Sequence, residues 1–253
     1  TGDSDFDSID ALRFTVPSPA VDNPSGLISL DEITISAAAD TTAPTAAFTA
    51  VTSTPTNATS VVFDVTFDED VTNVGGADFT ADESSFTGST GTITVDDLSD
   101  GDAKTYEVTI ASVSGDGDLG LDFAGGTDIQ DTATTPNTVD TTPTADESVT
   151  VDQTAPTLGA TASTNFAENG TGTVLDLDAD DGAGADTNVT YALTGGTDQG
   201  DFSIDSNSGT LTFDSAPDFE SPGDSDTNND YVVDVTATDD VGNTAVQTVT
   251  VNI

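Results

Sequence analysis

The sequence predicts an all-β protein of tandem β-sandwich domains arranged as an extended rod. Three observations predict it. Apolar and polar residues alternate over short runs, the period of a strand with one buried face. Gly, Asp and Asn turns interrupt these runs at roughly 8–12-residue spacing, as in sandwich folds. No window of useful length carries the apolar stripe of an amphipathic helix.

Taken in chain order, residues 1–39 contain "ALRFTV" and "LISLDEITIS", two or three strands and too little to enclose a core. They are expected to be the closing strands of a truncated or incomplete β module. The hexapeptide "DTTAPT" follows at 40–45 and recurs as "DQTAPT" at 152–157, 112 residues later, about one sandwich domain. Each copy follows a strand-like run ("DEITIS", "ESVTVD") and precedes another ("AAFTAV", "TLGATA"). Pro44 and Pro156 hold the preceding residue extended. These repeats set the expected boundaries: one sandwich over 40–151 and another over 152–253. In the first, Val61, Phe63, Val65 and Phe67 of "VVFDVTF" share a face, as do Tyr106, Val108 and Ile110 of "TYEVTI". In the second, Tyr231, Val233, Val235 and Ala237 face one way, as do Val249, Val251 and Ile253. Thr occupies many outward positions, as suits a solvated strand face.

Composition narrows the function. The 253 residues carry 47 acidic groups against two basic ones, Arg13 and Lys104, for a net charge of −45. Seven of the acids are Glu and the other forty are Asp. A general solubilising surface mixes both acids with Lys. An Asp-dominated one points to short carboxylates on loops, suited to hard cations, or to high-salt adaptation. This charge excludes nucleic acid and anionic membranes as direct partners. Cys and His are absent, so neither a disulfide, a thiolate metal site nor a nucleophile–base pair of the usual kind is available. Paired carboxylates also serve glycosidases, but there is no Trp to stack a sugar, and we expect no enzyme. High charge with few aromatics can signal disorder, yet the ordered period argues for a fold. No run is long enough to span a membrane, and no signal peptide is visible. The opening "TGDSDFDSIDALRF" starts in mid-pattern, so a mature or excised fragment is expected.

The last domain resembles a cadherin-like repeat of the bacterial and archaeal surface type. Six pieces occur in that family's order: "AEN" at 167–169, "DAD" at 178–180, "VTYALTGG" at 189–196, "FSIDSNSGTLTF" at 202–213, "PDFE" at 217–220 and "VTATDDVGNTA" at 235–245. The middle domain resembles the immunoglobulin-like repeats of bacterial adhesins through "DTTAPT", "VTFDEDVTNVGGADFT" and "KTYEVTIASVSGDGDLGLDF". The N-terminal "IDALRFT" and "LDEITI" resemble the closing strands of a jelly-roll-like surface module.

The resemblance implies calcium between domains. Calcium takes six to eight oxygens from carboxylates and carbonyls, and a divalent ion between acids replaces repulsion with attraction. In a sandwich the loops gather at two poles. The pole facing the incoming linker is expected to gather Asp152, Asp178, Asp180 and Asp239, with Asn188 as a further oxygen. In the middle domain the corresponding expectation, from topology, is Asp40, Asp68, Asp70 and Asp131. The opposite pole of the last domain carries Glu168, Asp218 and Glu220, which in cadherin repeats await a following linker; with the chain stopping at Ile253, that site is expected to be open or completed from outside. "PGDSDTNND" at 222–230 alternates Asp224, Asp226, Asn228 and Asp230 like a calcium loop, although it lacks an EF-hand's Gly, terminal Glu and helices. A solvated turn is the other reading there.

High-salt adaptation accounts for acids on strands such as Asp64, Asp96 and Asp234 but not for the ordered loop set. The expected function is a calcium-rigidified structural and adhesive segment of a secreted or cell-surface protein. Its partners would be neighbouring domains of a long chain or neighbouring copies, with surface glycans or cells beyond them. The alternative is a subunit of an extracellular filament or surface layer, joined by strand addition or shared calcium.

Overall fold

The computed structural model describes residues 39–98, 103–159, 162–180 and 188–253. The expected N-terminal module therefore lies outside the described residues except for Ala39. Among the described residues every element longer than three residues is a strand, and the helical pieces are single 3-10 turns at Gly76–Asp78 and Gln199–Asp201. No helix among them is long and apolar enough to cross a membrane.

The first half contains β1 (Ala46–Ala50), β2 (Ser60–Phe67), β3 (Val71–Thr72), β4 (Phe79–Ser89), β5 (Ile93–Asp97), β6 (Thr105–Ala111), β7 (Ser114–Phe123), β8 (Gln130–Asp131), β9 (Ala145–Asp146) and β10 (Val149–Val151). A five-stranded sheet β5-β6-β2-β1-β9 faces a three-stranded sheet β10-β7-β4, and β3 pairs with β8. The alternation read in the sequence sets the inner faces. Val61, Phe63, Val65 and Phe67 of β2 are buried, as are Tyr106, Val108 and Ile110 of β6. They pack with Leu119, Leu121, Phe79 and Val149 of the opposing sheet in a core running from Ala46 to Val151.

The second half contains β11 (Thr157–Leu158), β12 (Ser163–Asn165), β13 (Thr173–Asp176), β14 (Ala179–Asp180), β15 (Thr190–Gly195), β16 (Phe202–Ile204), β17 (Thr210–Phe213), β18 (Asp230–Thr238) and β19 (Thr244–Asn252). Sheet β12-β19-β18-β15 faces β13-β17-β16 around a second core from Val174 to Val251, with β11 paired to β14. Tyr231, Val233, Val235, Ala237, Val249 and Val251 are buried in it, and Ile253 packs at its margin. The ring of Tyr231 meets Phe202 and Phe213 edge-on. Both sandwiches are closed at one edge by a parallel pairing, β1 with β9 and β12 with β19, which covers main-chain groups that would otherwise stay open.

One glycine positions the loop that carries Asp198. β15 slips register between Leu193 and Gly195. Gly196 follows at φ +94°, and a Cβ there would stand 2.4 Å from the Val232 carbonyl oxygen and from Val233 Cα. Only glycine fits, and the turn it makes delivers Asp198 beneath the start of β18.

Candidate metal centres

The two hexapeptides build the same device. Asp40 Oδ1 accepts the Thr42 N–H at 2.9 Å, and Asp152 Oδ1 accepts the Thr154 N–H at 3.0 Å. Each linker aspartate is met by a loop that opens with Asp and ends with Asn. Asp131 N–H donates to the Asn137 carbonyl at 3.1 Å, and Asp239 N–H donates to the Asn243 carbonyl at 3.1 Å. Asp131 Oδ1 accepts the Ala133 and Asn137 N–H groups. Asp239 Oδ1 accepts those of Gly242 and Asn243, both at 2.7 Å. The Asn side chain then reaches the linker: Asn137 Nδ2 donates to the Asp40 carbonyl at 3.3 Å, and Asn243 Nδ2 to the Asp152 carbonyl at 3.0 Å.

At the Asp152 linker the chain is fixed on both sides. Gln153 is clamped by the first sandwich, its Nε2 donating to the Ala58 and Val113 carbonyls. Asp116 accepts the Gln153 N–H at 2.7 Å and the Thr154 hydroxyl at 2.9 Å. Asn243 belongs to the second sandwich. Asp152 and Asp239 are both buried, at 4% and 5% exposure. Burial pushes the Asp152 carboxyl above its ordinary range; the Thr154 bond opposes this, and the Asp239, Asp116 and Asp240 carboxylates add to it. Asp239 Oδ2 is buried with no hydrogen-bond partner. A buried polar oxygen left without a partner is costly, and a charged one more so. The donor set of carboxylates and carbonyls suits a hard ion.

At the Asp40 linker, carboxylate oxygens of Asp40, Glu69 and Asp131 lie within 4.8 Å of one another. Burial raises the Glu69 carboxyl first, and Asp40, Asp131 and Asp68 add to it. Asp131 is held below its ordinary range by the Asn137 side chain at 2.8 Å, against burial and with help from backbone N–H groups.

Asp40 with Asp131, and Asp152 with Asp239, come together. Asp68 and Asp70 do not join Asp40; Glu69 between them does. The reason is local. β2 ends at Phe67, and Asp68 accepts both the N–H and the hydroxyl of Thr45, at 2.8 and 2.9 Å. Burial works to raise its carboxyl and the Thr45 bonds overcome it. Asp70 lies 4.0 Å from the Lys104 ammonium. Among the described residues no three of Asp116, Asp152, Asp178, Asp180 and Asp239 bring carboxylate oxygens within 4.8 Å of one another. The backbone of Asp178 and Asp180 lies along the linker instead: Gly159 N–H and the Thr157 hydroxyl donate to their carbonyls, at 3.0 and 2.9 Å. Asn188 is exposed, just beyond residues 181–187, which are outside the described residues. Glu168, Asp218 and Glu220 do gather within 4.8 Å, all exposed, because the Asn169 N–H reaches the Pro217 carbonyl at 2.7 Å. Asp224 and Asp226 sit in the loop before β18, near Asp198. Sequence reasoning passed over Glu69, Asp116, Asn137 and Asn243. The Asn residues had a signal, since each closes a loop begun by a candidate aspartate ("DTATTPN", "DDVGN").

Residues 163–253 match the family model of the cadherin domain. This segment is cadherin-like. A stretch of 77 residues is 40% identical to halomucin of Haloquadratum walsbyi, covering 30% of this chain and 1% of that protein. Solved structures that align with the chain include protocadherin gammaB7 domains EC3-6, at 16% identity and TM-score 0.35 over 83% of this chain and 49% of that one. Drosophila N-cadherin EC1-3 aligns at 14% identity and TM-score 0.35 over 84% of this chain and 89% of that one.

Proposed function

We propose that this chain, whose C-terminal domain is cadherin-like, is a calcium-stiffened segment of a secreted or cell-surface protein that serves adhesion. Its sandwiches, the middle one of immunoglobulin-like type, would be joined end to end, with calcium holding each joint straight. One observation carries the reading: the buried, unpartnered Asp239 Oδ2 beside Asp152, Asp116 and Asp240 at the junction of two cores. Repetition of the device at Asp40, Asp131 and Asn137 supports it, as does the family match over residues 163–253. Bound there, calcium would supply the positive charge the chain lacks. Asp152, Asp239 and Asp116 would hold it at one joint, and Asp40, Glu69 and Asp131 at the other.

Calorimetric titration of calcium into the 253-residue chain tests this. Asp239→Asn should remove one binding event and leave that at Asp131, and Asp131→Asn should do the converse. Variants that titrate like the parent would overturn the reading. The exposed Glu168, Asp218 and Glu220 group favours a second reading, assembly through shared calcium with another module or copy. Sedimentation of Glu220→Gln with and without calcium separates the two. Loss of calcium-dependent self-association in that variant makes the chain a filament subunit, and a parent chain that stays monomeric in calcium makes it a stalk segment.

A further inference from the structure

Three buried side-chain oxygens among the described residues lack a hydrogen-bond partner, and two of them, Asp224 Oδ1 and Asn229 Oδ1, belong to one loop. Asp224 is 4% exposed. Its Oδ2 accepts the Asn228 N–H at 2.7 Å, leaving Oδ1 with nothing. The neighbour within hydrogen-bonding reach of this carboxyl is another, Asp226. Were both ionised, both would be acceptors and the contact would be repulsive. Asp201 stands close enough to feel Asp224 as well as Asp198 and Asp214. No basic residue occurs after Lys104, and among the described residues no ion pair to this loop appears.

The loop is nevertheless built firmly. Gly223 N–H donates to the Tyr231 hydroxyl at 2.9 Å. Asn228 Nδ2 donates to Asp226 Oδ2 at 3.0 Å, and its Oδ1 accepts the Asp230 N–H at 2.6 Å. Thr227 and Asn229 take left-handed conformations at φ 61° and 69°. Asp198, buried beneath, accepts the Ser225 N–H at 2.7 Å and the Val232 N–H at 2.8 Å. That carboxylate is satisfied by donors, as a structural buried acid should be. Asp224, equally buried, is half satisfied. A rigid loop with a buried, unpartnered carboxyl oxygen offers the hard oxygen donors that calcium takes.

We propose that Asp224 and Asp226 hold a hard divalent cation of the calcium type inside the last domain. This site stands apart from the joints and does not rest on them. Asp239 lies at the far end of β18, whose nine residues span roughly 30 Å. Its consequence falls on the near pole. Asn229 Nδ2 donates to the Phe219 carbonyl at 3.2 Å, between Asp218 and Glu220, so an ion that fixes the loop also fixes the exposed carboxylate group beside it.

The chain supplies its own reporters, because its three tyrosines are dispersed. Tyr231 is bonded to this loop, Tyr191 accepts the Ala179 N–H beside Asp178 and Asp180, and Tyr106 packs on Phe67. Terbium, a luminescent stand-in for calcium, should bind the full chain and be excited through tyrosine. Tyr231→Phe should remove one part of that emission. Asp226→Asn, at an exposed position that leaves the core intact, should weaken the same part by about tenfold or more, as loss of a ligand or its support does. Asp224→Asn should abolish it, and calcium should displace it. Asp239→Asn and Glu220→Gln should leave it in place. Unchanged Tyr231-dependent emission in Asp226→Asn overturns the proposal. So does its loss in Glu220→Gln alone, which would put the ion at the exposed pole.

Discussion

At the scale of single residues, burial divides the aspartates into two kinds. Asp78 and Asp198 are buried with donors on both oxygens: Gly75, Thr127 and Asp128 for the first, Ser225, Val232 and Thr197 for the second. Asp224 and Asp239 are as deeply buried with one oxygen empty. The first kind builds loops; the second is where we propose that cations bind. Asp239→Asn exposes the difference. Its Oδ1 would still accept from Gly242 and Asn243, while a negative charge beside Asp152 disappears. In chelator the variant should melt at or above the parent. In calcium at about a hundred times Kd the parent gains about 2.7 kcal/mol that the variant lacks. The order of the two melting temperatures should invert. A variant below the parent in both conditions would make Asp239 purely structural. The pH dependence follows the same logic. A carboxyl raised in the fold, as at Asp152 and Glu69, takes up its proton before the unfolded chain does, so its charge weakens the fold at neutral pH. In chelator, stability by urea midpoint should rise as pH falls through those raised values. It should then drop at lower pH, as Asp131, Asp198 and Asp205, all lowered in the fold, lose the stability their charged forms provide. Saturating calcium should erase the rise, because ion and proton compete for the same oxygens.

At the scale of elements, the Asp-to-Asn loops fold by their own hydrogen bonds and then grip a linker. Asn243→Ala removes one bond to a neutral carbonyl, a loss of about 1 kcal/mol. Asn137→Ala removes a bond to the Asp40 carbonyl and another to the charged Asp131 Oδ2, and bonds to charged groups are worth about 1.5–3 kcal/mol each. Asn137→Ala should therefore lower its domain's urea midpoint more than Asn243→Ala lowers its own; the reverse order would overturn this reading of the two loops. How legible these elements were depends on their length. β2, β6, β18 and β19 are long enough to show a period, and their buried faces could be read residue by residue. β3, β8, β11 and β14 are two residues each and show none. The parallel pairings β1·β9 and β12·β19 join distant segments and leave no local mark. The gathering of acids was legible where a motif names the residue, as for Asp152 with Asp239 and for the Glu168 group. It was not legible in "FDED", where three acids run together. Which of them turns to the linker is settled by Thr45 capturing Asp68 and Lys104 drawing Asp70, both contacts from elsewhere in the chain.

At the scale of the whole molecule, the charge of −45 acts through two mechanisms that different salts separate. One is repulsion between solvent-facing acids. In the five-stranded sheet Glu107 of β6 stands opposite Asp64 on one side and Asp96 on the other, a row of like charges across three strands. Such pairs destabilise by several tenths of a kcal/mol each. Sodium chloride relieves them, since the screening length falls from about 8 Å at 0.15 M to about 3 Å at 1 M. The other is the set of buried, unpartnered oxygens at Asp239 and Asp224, already inside the fold. Screening by dilute ions outside would hardly reach them; a coordinated ion would. The two contributions should therefore come apart by mutation. Melting of Glu107→Gln should show a higher temperature than the parent at low salt and a smaller rise with sodium chloride, with the calcium response unchanged. Melting of Asp239→Asn should show the parent's sodium response and a reduced calcium response. If sodium at equal ionic strength stabilises the parent as well as calcium does, the acids act by general repulsion alone, and the joints are held by their hydrogen bonds without an ion.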